Sequence, residues 1–160
     1  MKKINLDQMP WVNRKSPKGN FHIAYRNVGA EFRSAKKHGP RFRDKPPFEF
    51  AVVRIRPGAA NFPFHSHAAE WEFYQIVAGS GVMRAGKKRF KVKPGDCLMC
   101  PAGEPHQLIN TGKKDLLYNV VANNSVADIW RYPDSGKWGF TIGPTFFRLT
   151  PVKAYYVGEE

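Results

Sequence analysis

Three histidines and a glutamate stand at spacings that suit a metal ion. His65 and His67 are two residues apart, so in an extended chain both imidazoles point to one side, about 7 Å apart along the strand. Glu72 follows five residues after His67, far enough to return on the next strand, and His106 opens a further strand-like segment. Three imidazoles and one carboxylate form a ligand set of intermediate hardness that leaves coordination positions open, so Fe, Mn, Ni, Co and Zn are all feasible.

The surroundings of these residues favour a metal site over isolated core or surface histidines. The His-x-His pair and the glutamate stand among four large aromatic side chains, Phe62, Phe64, Trp71 and Phe73. Unpaired polar groups would be costly to bury in such a neighbourhood. The two other histidines, His22 and His38, belong to a basic N-terminal segment and are predicted not to be ligands.

Strand alternation predicts which neighbours share the interior with these candidates. If Glu72 points inward, so does Tyr74 two residues later. Gln75 and Gln107, which directly follow Tyr74 and His106, are expected to point outward. Tyr74 is therefore a candidate acid–base group or a residue that supports the ligands, and a plain core tyrosine is the alternative.

The elements that must position these residues are short strands separated by turns. Apolar or alternating runs occur at residues 48–56, 72–78, 81–85, 88–92, 97–100, 106–110 and 116–122. Turn formers such as Gly79-Ser80-Gly81 and Pro94-Gly95-Asp96 separate them. The pattern predicts a small all-β sandwich or barrel with antiparallel strands.

Composition and charge predict one domain with three parts. A chain of 160 residues supports one hydrophobic core. Pro46-Pro47 is the best boundary signal, which gives a basic N-terminal arm at residues 1–47, a barrel core at 48–124 and a C-terminal extension at 125–160 that packs on the barrel. The net charge is +13, and residues 1–46 hold twelve basic and three acidic side chains, so +9 of it lies there.

Cys97 and Cys100 are the two cysteines of the chain. Positions three apart on a strand face opposite sides of a sheet, so the pair is not expected to share a metal or a disulfide. We interpret both as buried small residues in a reducing compartment.

Two motifs in the barrel segment resemble those of the cupin family. In that family the first motif runs Gly, five residues, His-x-His, three or four residues, Glu, six residues, Gly. Here it reads Gly58, six residues, His65-Ser66-His67, four residues, Glu72, six residues, Gly79. The second motif matches at every spacing, with Gly95, Pro101-Ala102-Gly103, His106 and Asn110. The resemblance covers about residues 48–124, and the one departure is an extra residue after Gly58.

The resemblance implies a single cupin barrel, that is, a double-stranded β-helix or jelly roll. It implies that His65, His67, Glu72 and His106 line the barrel and hold one divalent transition metal per chain, Fe, Mn, Ni or Zn. Glu70 is the competing carboxylate, and the six-residue spacing to the motif glycine favours Glu72. The tail Tyr132-Pro133-Asp134-Ser135-Gly136-Lys137 resembles that of a subset of small bacterial cupins, some of which are named sugar-phosphate isomerases.

Two function classes follow from this resemblance. The first is a metal-dependent enzyme that acts on a small anionic substrate of the carboxylate or sugar-phosphate type, with isomerase, lyase and dioxygenase chemistry all open. The alternative is a non-catalytic cupin that binds or senses a small molecule. The positive charge of the chain would steer anions in either case.

Partners and location follow from broader features. The basic residues of the arm are scattered, so a solvated face is favoured over a nucleic-acid surface. No apolar run approaches the roughly 18 residues of a membrane span, and the first residues lack the apolar segment of a secretory signal, so we expect a cytoplasmic protein without membrane contact. Exposed edge strands and an aromatic arm predict a homodimer.

Overall fold

The computed structural model describes residues 1–32, 46–125, 127–141 and 146–150. An N-terminal 3-10 turn at Leu6–Gln8 precedes two strands, and a short helix α1, Val28–Glu31, follows them. The strands are β1 Val12–Lys15, β2 His22–Asn27, β3 Phe48–Ile55, β4 Ser66–His67, β5 Glu72–Ala78, β6 Gly81–Ala85, β7 Lys88–Val92, β8 Cys97–Cys100, β9 His106–Ile109, β10 Leu116–Asn123, β11 Ile129–Tyr132, β12 Lys137–Phe140 and β13 Phe146–Phe147. The seven strands predicted between residues 48 and 122 are confirmed, with ends that differ by at most one residue.

The strands form three antiparallel sheets. Six strands lie in the order β1-β2-β3-β10-β5-β8, three in the order β7-β6-β9, and four in the order β13-β12-β11-β4. Thus β1 and β2 extend the sheet that carries β5, and β11 pairs with the two-residue strand β4 through Trp130 opposite His67. The all-β architecture with antiparallel strands that the sequence predicts is therefore confirmed.

The core fills the space between the six-stranded and three-stranded sheets. Its fully buried members come from both sheets and include Ile55, Tyr74, Met83, Leu108 and Tyr118. Because side chains alternate along a strand, the residues between the core positions face outward, and the Asn119 side chain donates to Gln75 there at 3.0 Å. Apolar side chains lie on the same outer face, where Val77 and Met99 are exposed.

The motif residues outside the candidate ligand set build turns. Gly79 has φ +82° and leads from β5 into β6, and a Cβ added there would lie 2.5 Å from the backbone oxygen of Asp115. Asn110 is fully buried, and its amide nitrogen donates to the carbonyl oxygens of Ile55 and Lys114 while its oxygen accepts from Gly112 N–H. These residues supply backbone geometry, as the sequence predicts.

One orientation prediction agrees with the structure and one burial prediction is wrong. Gln107 lies on the outer face of its sheet beside Arg84, as predicted, but it is buried there, and its amide donates to the carbonyl of Phe62 at 2.8 Å. Cys97 is exposed, because it lies on the outer face of the six-stranded sheet opposite Gln75, whereas Cys100 is buried as expected. The two cysteines do face opposite sides. No helix among the described residues combines the length and apolar character that crossing a membrane requires.

Candidate metal centre

Four of the predicted site residues come together inside the barrel. His67 lies on β4, Glu72 begins β5 and His106 begins β9. His65 precedes β4 and pairs with His106 through two backbone hydrogen bonds of 3.2 and 2.8 Å. Each residue offers one ligand atom, and these atoms all lie within 4.8 Å of one another. The two-residue spacing of His65 and His67 and the antiparallel bridge to His106 thus bring three imidazoles to one point.

Each imidazole is held by its Nδ1 atom. The Nδ1 atoms of His65 and His106 lie 2.8 and 3.0 Å from the carbonyl oxygens of Pro63 and Glu104, and Nδ1 of His67 lies 2.5 Å from Oδ2 of Asp128. Because these oxygens accept hydrogen bonds, each Nδ1 carries the proton. The Nε2 atoms remain for a metal ion.

The Nε2 atoms lie close to the Glu72 carboxylate. Oε2 of Glu72 is 2.5 Å from Nε2 of His106 and 3.9 Å from Nε2 of His67. A buried carboxylate among three imidazoles whose other nitrogens are all hydrogen-bonded fits a divalent transition metal, since such outer partners orient metal ligands and raise their basicity.

The environment of the cluster shifts the pKa values of His65 and His106 in opposite directions. Burial is the largest influence on His65 and, together with the positive charge of His106, lowers its pKa to about 4. Burial alone would lower the pKa of His106, but hydrogen bonds with Cys100 and Glu72 raise it to about 10. Burial alone would raise the pKa of Glu72, but the His106 hydrogen bond and the neighbouring imidazoles lower it to about 2. Without a metal, Glu72 and His106 therefore form an ion pair at neutral pH.

Tyr74 supports the carboxylate. Its hydroxyl donates to Oε2 of Glu72 at 2.9 Å, and its ring lies edge-on to that of His106, 5.9 Å between centroids. Complete burial and the nearby carboxylate raise the pKa of Tyr74 well above its ordinary value, so the phenol keeps its proton. This geometry suits a hydrogen-bond donor and does not suit a general base.

Asp128 is a functional candidate that sequence reasoning missed. It is buried, its Oδ2 accepts from His67, and its Oδ1 accepts from the backbone N–H of Ala69 at 2.9 Å. Asp128 precedes β11, whose pairing with β4 joins residues more than sixty positions apart. No local pattern could have identified it. Glu70, the competing carboxylate, lies 3.8 Å from Nδ1 of His67, on the side away from the other ligands.

The remaining predicted residues lie elsewhere. His22 lies on β2, outside the cluster, and His38 falls outside the described residues. Asp134, which the sequence analysis placed in the tail, forms an ion pair with Arg84 at 2.6 Å, and the Lys137 ammonium lies 5.6 Å from the centroid of the Tyr132 ring. The Tyr132 ring in turn stacks on His65 at 6.1 Å, so the tail reaches the candidate centre.

A cavity of about 260 Å³ opens beside the centre. Its lining is mainly apolar, Glu72 is the member of the centre that lines it, and the other polar or charged residues of the lining are Arg14, Tyr25, Asn27, Tyr74 and Tyr118. Such a cavity suits a small molecule with few polar groups.

The chain is similar to proteins of one superfamily. The family model described as "Cupin domain" matches residues 51–122. The chain is 36% identical over 72 residues to an oxalate-binding protein from Thermotoga maritima, a match that covers 45% of this chain. It is also 34% identical over 62 residues to an uncharacterized protein from Methanocaldococcus jannaschii. These matches span 59% and 50% of the lengths of the two curated relatives.

Solved structures extend the similarity of fold beyond the matched segment. A sugar phosphate isomerase of the cupin superfamily from Silicibacter pomeroyi superimposes with a TM-score of 0.75 at 22% identity, covering 96% of this chain and 98% of that one. A predicted oxalate decarboxylase from Thermotoga maritima has a TM-score of 0.59 at 21% identity, covering 78% and 100%. The family model thus identifies a cupin domain in residues 51–122, and the solved structures show that the chain has the cupin fold that its two motifs predict.

Proposed function

We propose that His65, His67, Glu72 and His106 bind one divalent transition metal, Fe, Mn, Ni or Zn, and that the protein is a metal-dependent enzyme for a small anionic substrate of the carboxylate or sugar-phosphate type. The observation that carries the proposal is the convergence of four ligand atoms within 4.8 Å beside a cavity that a small molecule can enter. When bound, such a metal supplies Lewis-acid polarisation of substrate oxygen atoms at its open coordination positions.

The chain's own residues would orient both the ligands and the substrate. Tyr74 donates to Glu72 and so directs the carboxylate, while Asp128 fixes the ring of His67. The apolar walls of the cavity exclude water from around the substrate, which strengthens every polar interaction there. We assign Tyr74 a positioning role through Glu72, in place of the acid–base role that the sequence left open. Isomerase, lyase and dioxygenase reactions all remain compatible with this arrangement.

A specific observation favours non-catalytic binding as the second candidate. The relative that is 36% identical over the barrel is named an oxalate-binding protein. In addition, the raised pKa of Tyr74 keeps its phenol protonated, so the phenolate that would act as a general base does not form. A protein of this kind would hold a small carboxylate at the same centre and release it unchanged.

The first experiment measures metal content by elemental mass spectrometry. Wild type, His106→Ala and the control His22→Ala are purified in parallel without an affinity tag. We expect near-stoichiometric metal in wild type and in His22→Ala, and loss of that metal in His106→Ala. A wild type that stays free of metal after incubation with each of the four ions would refute the proposal.

A second experiment separates the two candidates. Metal-loaded protein is incubated with small carboxylates and sugar phosphates, and both product formation and thermal unfolding are followed. Turnover supports the enzyme. A rise in the unfolding temperature without product supports the binding protein.

We further propose that the arm at residues 1–47 and the extension at 125–160 frame the barrel core at 48–124, and that two chains form a homodimer. The open edge of β1 in the six-stranded sheet supports the second part. Light scattering at several concentrations tests it, since a monomer mass throughout would contradict it.

A further inference from the structure

Arg14 is an exposed cation of β1 that lines the cavity. It lines the cavity that contains Glu72, and it also lines an adjoining cavity with Asn61 and Phe62, so it lies where the two meet. Of the other described arginines, Arg26, Arg54, Arg56 and Arg84 each lie within 4.0 Å of a carboxylate oxygen, whereas Arg89, Arg131 and Arg148 do not, and none of these seven lines the cavity. Within residues 1–32, 46–125, 127–141 and 146–150, Arg14 has no such carboxylate.

Aromatic contacts place this cation beside the candidate centre. The Arg14 guanidinium carbon lies 5.8 Å from the centroid of the Phe62 ring, and that ring is edge-on to His65 at 6.1 Å. Burial raises the pKa of Tyr132, and the positive charge of Arg14 opposes that rise, while the Tyr132 ring stacks on His65. Arg14 is thus separated from the predicted metal ligand His65 by one aromatic ring, that of Phe62.

The cavity has room for a small ligand between Glu72 and Arg14. A sphere of 260 Å³ has a diameter of about 8 Å, which accommodates a chain of a few carbon atoms with an anionic group at each end. The Glu72 carboxylate already faces the imidazoles, so the uncompensated positive group in the cavity lining is Arg14. A planar guanidinium with parallel N–H donors matches the geometry of carboxylate and phosphate oxygens.

We propose that Arg14 selects dianionic ligands: the first anionic group of the ligand occupies the metal centre, and the second, a carboxylate or phosphate, pairs with the Arg14 guanidinium. This assignment rests on the proposed function. It gives the N-terminal arm a specificity role, because β1 brings Arg14 to the barrel mouth through its pairing with β2, in which Arg14 lies opposite Ile23.

The test compares matched probes on metal-loaded protein. Succinate and its monoamide, succinamate, differ in one negative charge, and 3-phosphonopropionate replaces one carboxylate of succinate with a phosphonate. We expect wild type to bind the better dianion about 10- to 100-fold more tightly than succinamate, the range that a charge-assisted hydrogen-bonded pair supports. Succinate as the better dianion indicates a carboxylate ligand, and 3-phosphonopropionate indicates a phosphate ligand.

The variants decide whether Arg14 is responsible. In Arg14→Gln the preference should fall to within about threefold of unity, and in Arg14→Lys it should be intermediate, because the charge stays and the planar fork is lost. Arg89→Gln removes the same charge from the exposed strand β7, away from the cavity, and should keep the wild-type preference. An Arg14→Gln variant that retains the preference overturns the assignment, as does a wild type that does not discriminate.

Metal content, measured on the same samples, separates this inference from the proposed function. We expect Arg14→Gln to hold as much metal as wild type. If wild type binds metal but shows no effect of Arg14, only the inference fails. If wild type binds no metal, the proposed function fails and the inference fails with it.

Discussion

Replacing Asp128 with asparagine should weaken metal binding and leave the protein folded. The two carboxylate oxygens accept from two donors, Nδ1–H of His67 at 2.5 Å and the backbone N–H of Ala69 at 2.9 Å. An asparagine side chain has one acceptor oxygen, and its NH₂ group would face whichever donor that oxygen leaves. One of the two hydrogen bonds is therefore lost in either orientation of the amide.

The size of the effect follows from burial and charge. Asp128 is 5% exposed, so water cannot replace the lost bond. A hydrogen bond to an ionised group contributes about 1.5–3 kcal/mol, and loss of an outer partner of a metal-bound histidine weakens metal binding by about 10- to 100-fold. We therefore expect the Kd of Asp128→Asn for Zn²⁺ to rise by about 10- to 100-fold, which equals about 1.4–2.7 kcal/mol.

The assay is competition for Zn²⁺ between metal-free protein and a chromophoric chelator at pH 7.5. Circular dichroism and thermal unfolding of the metal-free variants report whether the fold is intact. Asp134→Asn is the matched control, because it makes the same chemical change in the same tail at the exposed ion pair with Arg84, and its Kd should stay within about twofold of wild type. A folded Asp128→Asn with the wild-type Kd, or an equal loss in both variants, would refute the reasoning.

Three further predictions concern protons, a turn and a hydrogen bond. Because the pKa of His106 is about 10 in the metal-free state, metal binding must displace its proton, so affinity for Zn²⁺ should rise by about tenfold per pH unit between pH 7 and 9. Chelator competition across that range checks this, and a flat profile contradicts it. Gly79→Ala should lower the free energy of unfolding by about 2 kcal/mol or more, because a Cβ there meets a backbone oxygen at 2.5 Å. The control Gly86→Ala, where φ is +54° and the space around the Cβ is open, should lower it by about 1 kcal/mol. Urea denaturation compares the two variants, and equal losses would argue against the clash. Tyr74→Phe should keep the fold and weaken Zn²⁺ binding by about tenfold, because the donor to Glu72 at 2.9 Å is lost; an unchanged Kd in the same competition assay would remove its positioning role.

The parts of the fold that the sequence predicts are those set by local patterns. Turn residues and alternating side chains lie within a few positions of one another, and they locate the seven barrel strands to within one residue. The inward orientation of Tyr74 and the outward orientation of Gln75 follow from the same alternation.

The parts that sequence reasoning missed depend on contacts between distant segments. Asp128 reaches His67 because β11 pairs with β4, and Arg14 reaches the cavity because β1 joins the six-stranded sheet. Gln107 is buried where its amide reaches the carbonyl of Phe62, 45 positions away, and Cys97 is exposed because it lies on the outer face of the sheet opposite Gln75. No spacing rule within one strand contains this information.

The pairing of β4 with β11 couples the tail to the centre thermodynamically. The strand that carries His67 has only two residues, and its partner strand comes from the C-terminal segment that also supplies Asp128 and Tyr132. Because linkage is reciprocal, a metal ion that binds only when β4 and β11 are paired must also make the local opening of β11 less favourable, and a change that loosens β11 must weaken the affinity for the ion. Amide hydrogen exchange in residues 129–132 therefore becomes a reporter of metal occupancy, and the tail becomes a point from which the affinity for the ion can be regulated.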